Sequence, residues 1–226
     1  MKKVMKFFLL LLISITICSC SSNKEETYEE EEKIVTEDIK TGVVDGYKFT
    51  QVEEQTDRVK IQMSNGDIML AVLSNSDTPV TIKNFKKLVS EKFYDGLIFH
   101  RVIEDFMIQG GDPTGTGYGS DTVPTIKGEF KINGVDNDMS HKRGVLSMAR
   151  RGGNPETADT MNSASSQFFI VHKDSDFLDG QYASFGKVFA GLDVLDKIAG
   201  VQTDGNDRPL KEQKIHSIRF VTVEQE

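Results

Sequence analysis

Tryptophan is absent from the 226 residues, and cysteine occurs only at Cys18 and Cys20. Nothing downstream of residue 20 can therefore form an internal disulfide, a thiolate zinc site or a cysteine nucleophile. The apolar run from Phe7 to Ile17 covers 11 residues, well short of the roughly 20 that a helix needs to cross a bilayer. Basic surface is scarce as well: 27 Lys and Arg face 35 Asp and Glu, a net charge of −8. Affinity for phosphate backbones depends on Lys and Arg neutralising them, so nucleic acid is excluded as a partner. Ser165-Ser166 lacks the Gly-x-Ser-x-Gly elbow, which leaves hydrolysis without an obvious nucleophile. What is present is 38% hydrophobic residues, 14 Phe among them, enough for a packed core in one domain with room for extras.

Lys2, Lys3 and Lys6 precede the apolar run, and small and polar residues follow it. This is the layout of an export signal. Ile17-Cys18-Ser19-Cys20 resembles the lipobox of bacterial lipoprotein signals: Cys20 has an aliphatic residue three places before it and a small one immediately before it, whereas Cys18 would need Ile17 in the small position. The expectation is cleavage after residue 19 and a diacylglyceryl group on Cys20, anchoring the chain at the extracytoplasmic face of the cell membrane. An ordinary signal with two incidental cysteines is the alternative. Residues 1–20 carry +3, residues 21–57 carry 4 basic and 12 acidic side chains, and residues 58–226 carry 20 and 23. The acidity is concentrated around Glu29–Glu32, so residues 20–57 are expected to form a solvated, self-repelling tether. Tyr47, Phe49 and Val52 leave open whether 41–57 instead adds a strand.

From Arg58 the pattern changes. Val59–Met63, an Asn65-Gly66 turn and Ile68–Leu73 predict a β-hairpin. Thr78 and Pro79 suit the N-cap and first position of a helix running to about Lys92, with Phe85, Leu88 and Val89 on one face. Short apolar runs then recur at 98–103, 106–109, 145–149, 168–171, 183–189 and 215–223, and 192–199 suggests a second helix. Many short strands with two helices predict a closed antiparallel barrel or a sandwich, since closure removes exposed strand edges.

Several motifs fit loops and packing better than chemistry. Gly115-Thr116-Gly117-Tyr118-Gly119 has no helix signal after it, so loop geometry explains it better than phosphate binding. His100, His141, His172 and His216 are too scattered for helical metal-ligand spacing. In the segment Phe99 to Asp112, strand alternation puts Arg101 on the same face as Phe99 and Ile103, an expensive place for an unpartnered charge. A salt-bridged arginine at a barrel rim is the bland explanation.

That segment, together with Leu146–Arg150, Ser166–Ile170 and Phe177–Val188, resembles the signatures of the cyclophilins, a family of peptidyl-prolyl cis-trans isomerases. The motifs occur in family order across residues 58–226. The resemblance implies an eight-stranded antiparallel β-barrel closed by two α-helices, mainly β in class, with a groove for the residue before proline and the proline ring. It implies no cofactor and no metal. Arg101 matches the catalytic arginine; Phe106, Met107, Phe169 and Leu178 match the proline pocket; Gln109, Ala149, Arg150 and Gln167 match the peptide groove. Phe177 and Tyr182 stand where many members carry Trp and His, which predicts weakened binding of cyclosporin-type ligands. The 16 residues from Arg150 to Ser165 make a longer loop than is usual, and Arg150 with Arg151 is expected to favour acidic residues beside the substrate proline. The expected partners are proline-containing unfolded or extended polypeptides outside the cytoplasm, met by a monomer that isomerises X-Pro bonds and assists folding at the cell envelope. A non-catalytic peptide-binding chaperone or surface-binding lipoprotein is the alternative.

Overall fold

The computed structural model describes residues 34–74, 76–119, 121–154 and 156–225. The expected signal peptide and the lipid site Cys20 lie outside the described residues. Among the described residues ten strands form one antiparallel sheet: β1 (Thr41–Val44), β2 (Tyr47–Gln51), β3 (Arg58–Met63), β4 (Ile68–Val72), β5 (Ile98–Ile103), β6 (Met107–Gly110), β7 (Val145–Met148), β8 (Phe168–Val171), β9 (Ser184–Ala190) and β10 (Gln213–Gln225). Eight of them run in the order β10-β3-β4-β9-β7-β8-β6-β5, and the pairing of Gln213–Lys214 with Ile98–Phe99 closes the ring. The expected eight-stranded barrel is therefore present, with β1 and β2 added outside it. Closure leaves none of these eight strands with a free edge over its whole length.

The barrel interior follows from alternation. Val59, Ile61 and Met63 of β3 point inward, as do Leu146 and Met148 of β7 and Phe168 and Ile170 of β8. Helices α1 (Pro79–Ser90) and α3 (Leu192–Ala199) add Phe85, Leu88 and Val89, and Val194, Leu195 and Ile198, to the same core. Phe85 is the hub of an aromatic cluster, with ring centroids 5.1 Å from Tyr94, 5.5 Å from Phe168 and 5.1 Å from Phe185. Pro79 starts α1 as expected, but the Thr78 side chain does not cap it. The carboxylate of Glu129 does so, accepting from Val80 N at 3.0 Å and Thr81 N at 2.8 Å. A remote anion thus serves both the unpaired donors and the positive end of the helix. A further one-turn helix, α2 (Ala158–Met161), lies in the long loop after β7 and was not foreseen.

The folded unit starts before residue 58, where the sequence boundary lay. Asp45 and Gly46, both at positive φ, make the tight turn between β1 and β2, and β2 pairs with Val221–Gln225 of β10. Phe49 of β2 packs with Ile68, Leu70, Ala190 and Val221 on the outer wall of the barrel. Residues 35–40 lie over Lys60 and Gln62, the outward-facing pair of β3, and bury both. Lys60 Nζ donates to the carbonyl of Ile39 and to Gln62 Oε1, and Gln62 Nε2 donates to the Glu37 carbonyl. Burial drives the Lys60 pKa down to about 8, Arg219 adding to the effect and Asp38 opposing it. Asp38 in turn accepts from Arg219 Nε at 3.0 Å and from Ser217. Residues 34–51 are therefore a strap on the barrel and not part of the expected tether, whose earlier residues lie outside the described ones.

Candidate active site

The second outward apolar cluster, on β6, β7 and β8, is not reached by the strap. Met107, Val145, Phe169, Val171 and Leu178 form its floor, with Ile103, Phe106, Met139, Ala149 and Tyr182 packed against them. A cavity of about 140 Å³ opens there, lined by Arg101, Phe106, Met107, Gln109, Ala149, Arg150, Phe169, Leu178 and Tyr182. These are nine of the eleven groove residues expected from the sequence. Gln167 lies just outside and accepts from Gln109 Nε2 at 2.9 Å, while its own Nε2 donates to the Gly117 carbonyl at 3.2 Å. Phe177 stands on the rim, 65% exposed, its ring 5.5 Å from that of Phe106.

The face of Arg101 differs from the expectation. Phe99 and Val102 both belong to the barrel interior, whereas Ile103 belongs to the groove cluster. The ladder to β6 pairs Phe99 with Gly110 and Arg101 with Gln109, so His100 is an extra residue on β5. Such a bulge inverts the in-out parity of everything after it. Arg101 consequently shares the outer face with Ile103 but not with Phe99, and reaches the groove without burying its charge. Its Nε donates to Asp207 Oδ2 at 3.2 Å, and neither Nη has a protein acceptor among the described residues.

Phe106 is delivered by the turn between β5 and β6, where Asp105 takes a left-handed φ of 60°. His172 braces that turn: its Nδ1 accepts from Asp105 N at 3.0 Å and its backbone N–H donates to the Phe106 carbonyl at 2.8 Å. The Gly115–Gly119 segment is loop geometry, as expected, with Asp112 accepting from the backbone N–H groups of Thr114, Thr116, Gly117 and Gly119. Burial raises the Asp112 pKa, but these bonds outweigh it and the net shift is downward.

Behind the pocket lies a feature with no signal in the sequence. His141 Nδ1 is 2.7 Å from Asp179 Oδ1 and its Nε2 is 3.0 Å from Ser147 Oγ. The order serine, histidine, carboxylate is that of a hydrolase triad, but Ser147 is fully buried and no substrate carbon can reach its oxygen. The imidazole instead stacks on Phe169, with centroids 6.0 Å apart and planes at 17°. Burial lowers the His141 pKa against the opposing pull of Asp179. A neutral imidazole thus backs the pocket floor.

Of the two arginines behind the expected acidic preference, Arg151 is exposed and Arg150 is not. The Arg150 guanidinium bonds both oxygens of Glu156 at 2.9 and 3.1 Å and lies 5.1 Å from the Phe130 ring centroid and 4.8 Å from that of Tyr182. The side chain is 2% exposed. A bidentate partner and two aromatic faces consume its charge and its donors, so it pins the 150–165 loop and offers no cation to a peptide. Asp207 and the His141–Asp179 pair escape sequence reading because their partners lie 106 and 38 residues away in the chain, and Glu156, six residues from Arg150, because an irregular loop gives no period that would bring the two together. As a whole the groove combines an apolar slot of ring size and a half-exposed guanidinium with free donors at its rim, and among the described residues that line it there is no serine, threonine, cysteine or lysine. That set suits binding and polarising a bond without breaking one.

The family model described as cyclophilin type peptidyl-prolyl cis-trans isomerase/CLD matches residues 58–220. Peptidyl-prolyl cis-trans isomerase ppi1 of Schizosaccharomyces pombe is 42% identical over 158 residues, covering 70% of this chain and 94% of that protein. Its counterpart cypE of Dictyostelium discoideum is 41% identical over 163 residues, covering 72% and 95%. Among solved structures, a cyclophilin type isomerase of Cryptosporidium parvum crystallised in the presence of the dipeptide Ala-Pro superposes with a TM-score of 0.62 at 33% identity, covering 72% of this chain and 97% of that one.

Proposed function

The chain belongs to the cyclophilin-type peptidyl-prolyl cis-trans isomerases, and from that premise we propose that it turns X-Pro bonds of exported polypeptides in the groove at Arg101 while a lipid on Cys20 holds it to the membrane. The observation that carries the reading of the site is the guanidinium of Arg101, with both Nη groups free, beside the apolar slot of Phe106, Met107, Phe169 and Leu178.

Rotation about a peptide bond meets a barrier of about 18–20 kcal/mol because the nitrogen lone pair is delocalised into the carbonyl. In the twisted state the pair returns to nitrogen, which becomes a hydrogen-bond acceptor. A donor placed there binds the twisted state better than either planar one, and that difference lowers the barrier. One preorganised donor is worth about 2.7–4 kcal/mol, roughly a hundred- to thousandfold in rate. The slot supplies the remainder by gripping the ring while Gln109, held by Gln167, orients the main chain. The Ala-Pro dipeptide used with the Cryptosporidium parvum relative supports a proline-containing peptide as the ligand class. No cofactor takes part, and the working unit is a monomer.

The export reading rests on Lys2, Lys3, Lys6, the apolar run and Ile17-Cys18-Ser19-Cys20. Among the described residues the first backbone tie to the barrel is Val35 N to the Ser64 carbonyl.

Exchange NMR on an X-Pro peptide tests the activity, run beside an aggregation-suppression assay. Wild type accelerates exchange, and Arg101→Ala does so roughly a hundred- to thousandfold less. Equal suppression of aggregation by both, with no exchange from either, would establish a binding module instead. Mass spectrometry of the mature N-terminus tests the anchor: an acylated Cys20 supports it, and an unmodified terminus refutes it. Cyclosporin titration should give weaker binding than to members with Trp at the place of Phe177, because a phenyl ring lacks the indole donor.

A further inference from the structure

We propose that Asp207 is a positioning residue for the isomerisation, fixing the plane of the Arg101 guanidinium so that its two Nη groups face the groove. The proposal rests on the reading of Arg101 as the donor. Asp207 lies 106 residues from Arg101 and approaches it from the loop before β10, its Oδ2 3.2 Å from Nε. Nε is the one guanidinium nitrogen whose capture leaves both terminal groups available, so this contact aims the fork without occupying it.

The loop is built to hold that aim. Asp207 takes a left-handed φ of 63°, a conformation that persists in a residue with a Cβ only where its surroundings impose it. The Asp204 carboxylate accepts from Asn206 N at 2.8 Å and Arg208 N at 3.0 Å, and Asp204 N donates to the Arg208 carbonyl at 2.8 Å. Thr203 and Pro209 form a β-bridge that closes the base of the loop. Two further contacts dock it: the Asp207 carbonyl accepts from Val102 N at 2.8 Å, and Arg208 Nη1 donates to the Gly115 carbonyl at 2.5 Å. Backbone and side chain of Asp207 thus grip two successive residues of β5.

Arg101 and Asp207 are each 42% exposed. An ion pair this wet contributes little to folding, which separates a positioning role from a structural one. An arginine released from Nε samples many rotamers, and the fraction with an Nη at the imide nitrogen falls.

The test compares Asp207→Gly with Asp207→Asn in the full chain. Both residues accept a left-handed φ, but only Asn keeps an oxygen for Nε. We expect Asp207→Gly to lower kcat about tenfold with KM within about twofold, Asp207→Asn to restore at least about half of the wild-type kcat, and thermal melting to shift little in either. On an Arg101→Ala background, Asp207→Gly should have no further effect. A Gly variant within about twofold of wild type, an Asn variant as slow as Gly, or the same loss with and without Arg101 would each overturn the assignment. Failure of the underlying reading looks different: wild type itself would not accelerate exchange, or Arg101→Ala would match it.

Discussion

The barrel wall carries two apolar clusters on its outside, and they meet opposite fates. On β4, β9 and β10, Ile68, Leu70, Ala190 and Val221 lie beneath Phe49 of the strap, which is 1% exposed. On β6, β7 and β8, Met107, Val145, Phe169 and Val171 are buried instead by neighbours of the groove itself, among them Ile103, Phe106, Met139, Ala149 and Tyr182, and the strap does not reach them. The cations follow the same division. Lys60, under the strap, has its ammonium committed to Ile39 and Gln62, while Arg101, at the groove, keeps both Nη groups free. Sequence marks both patches as apolar runs with a cation nearby. What distinguishes a binding site from a buried seam is whether the chain supplies its own occupant.

Removing that occupant gives the largest expected effect. Phe49→Ala should cost about 3–5 kcal/mol of stability, as for other buried Phe truncations, and leave the isomerase rate of the still-folded protein unchanged; denaturant melts beside exchange rates check both. If the rate fell in parallel, the two faces would be coupled and the comparison would fail. Arg101→Ala is the mirror image. It should raise the barrier by about 2.7–4 kcal/mol and shift the unfolding midpoint hardly at all, since the side chain is half exposed.

A smaller effect separates the faces by pH. Burial holds the pKa values of His100 and His141 below the usual 6.5, with Asp112 and Asp179 opposing. The unfolded chain gains those protons near pH 6.5 while the native groove refuses them, so stability is complete above 6.5 and declines as pH falls from there toward the depressed native values. Asp112 and Asp179, whose pKa values hydrogen bonds hold low despite burial, extend the loss below about pH 3.8. Melting temperature against pH should show the first decline, and His141→Gln should reduce it. The smallest expected difference is in charge selectivity: with Arg150 consumed by Glu156, Glu-Pro and Lys-Pro peptides should be turned over within about twofold of each other. A strong Glu-Pro preference would mean that the 150–165 loop releases its arginine when substrate binds.

The barrel and the groove were legible because their information is local. Each strand announces itself by alternation or a short apolar run, and the groove residues sit in four contiguous motifs. Three things escaped. The bulge at His100 inverts parity without leaving a mark in composition, so the face of Arg101 was assigned wrongly relative to Phe99. The strap at 34–51 was hidden in a stretch read as acidic tether, and of its two strands only Phe49 is fully buried. Polar partners such as Glu129 for α1 and Asp207 for Arg101, far off in the chain, and Glu156 for Arg150, close by in a loop, depend on the finished fold, and an acidic residue in a loop reads the same whether it meets solvent or a guanidinium.

Strand β10 joins β5, β3 and β2 along its 13 residues, although β2 and β3 end at residues 51 and 63 and β10 begins only at 213. A ribosome must therefore deliver nearly the whole chain before either the seam or the strap can zip. Until then the outer wall at Ile68 and Leu70 stays sticky, and this folding catalyst is itself a slow-maturing client, in need of protection for as long as its own synthesis lasts.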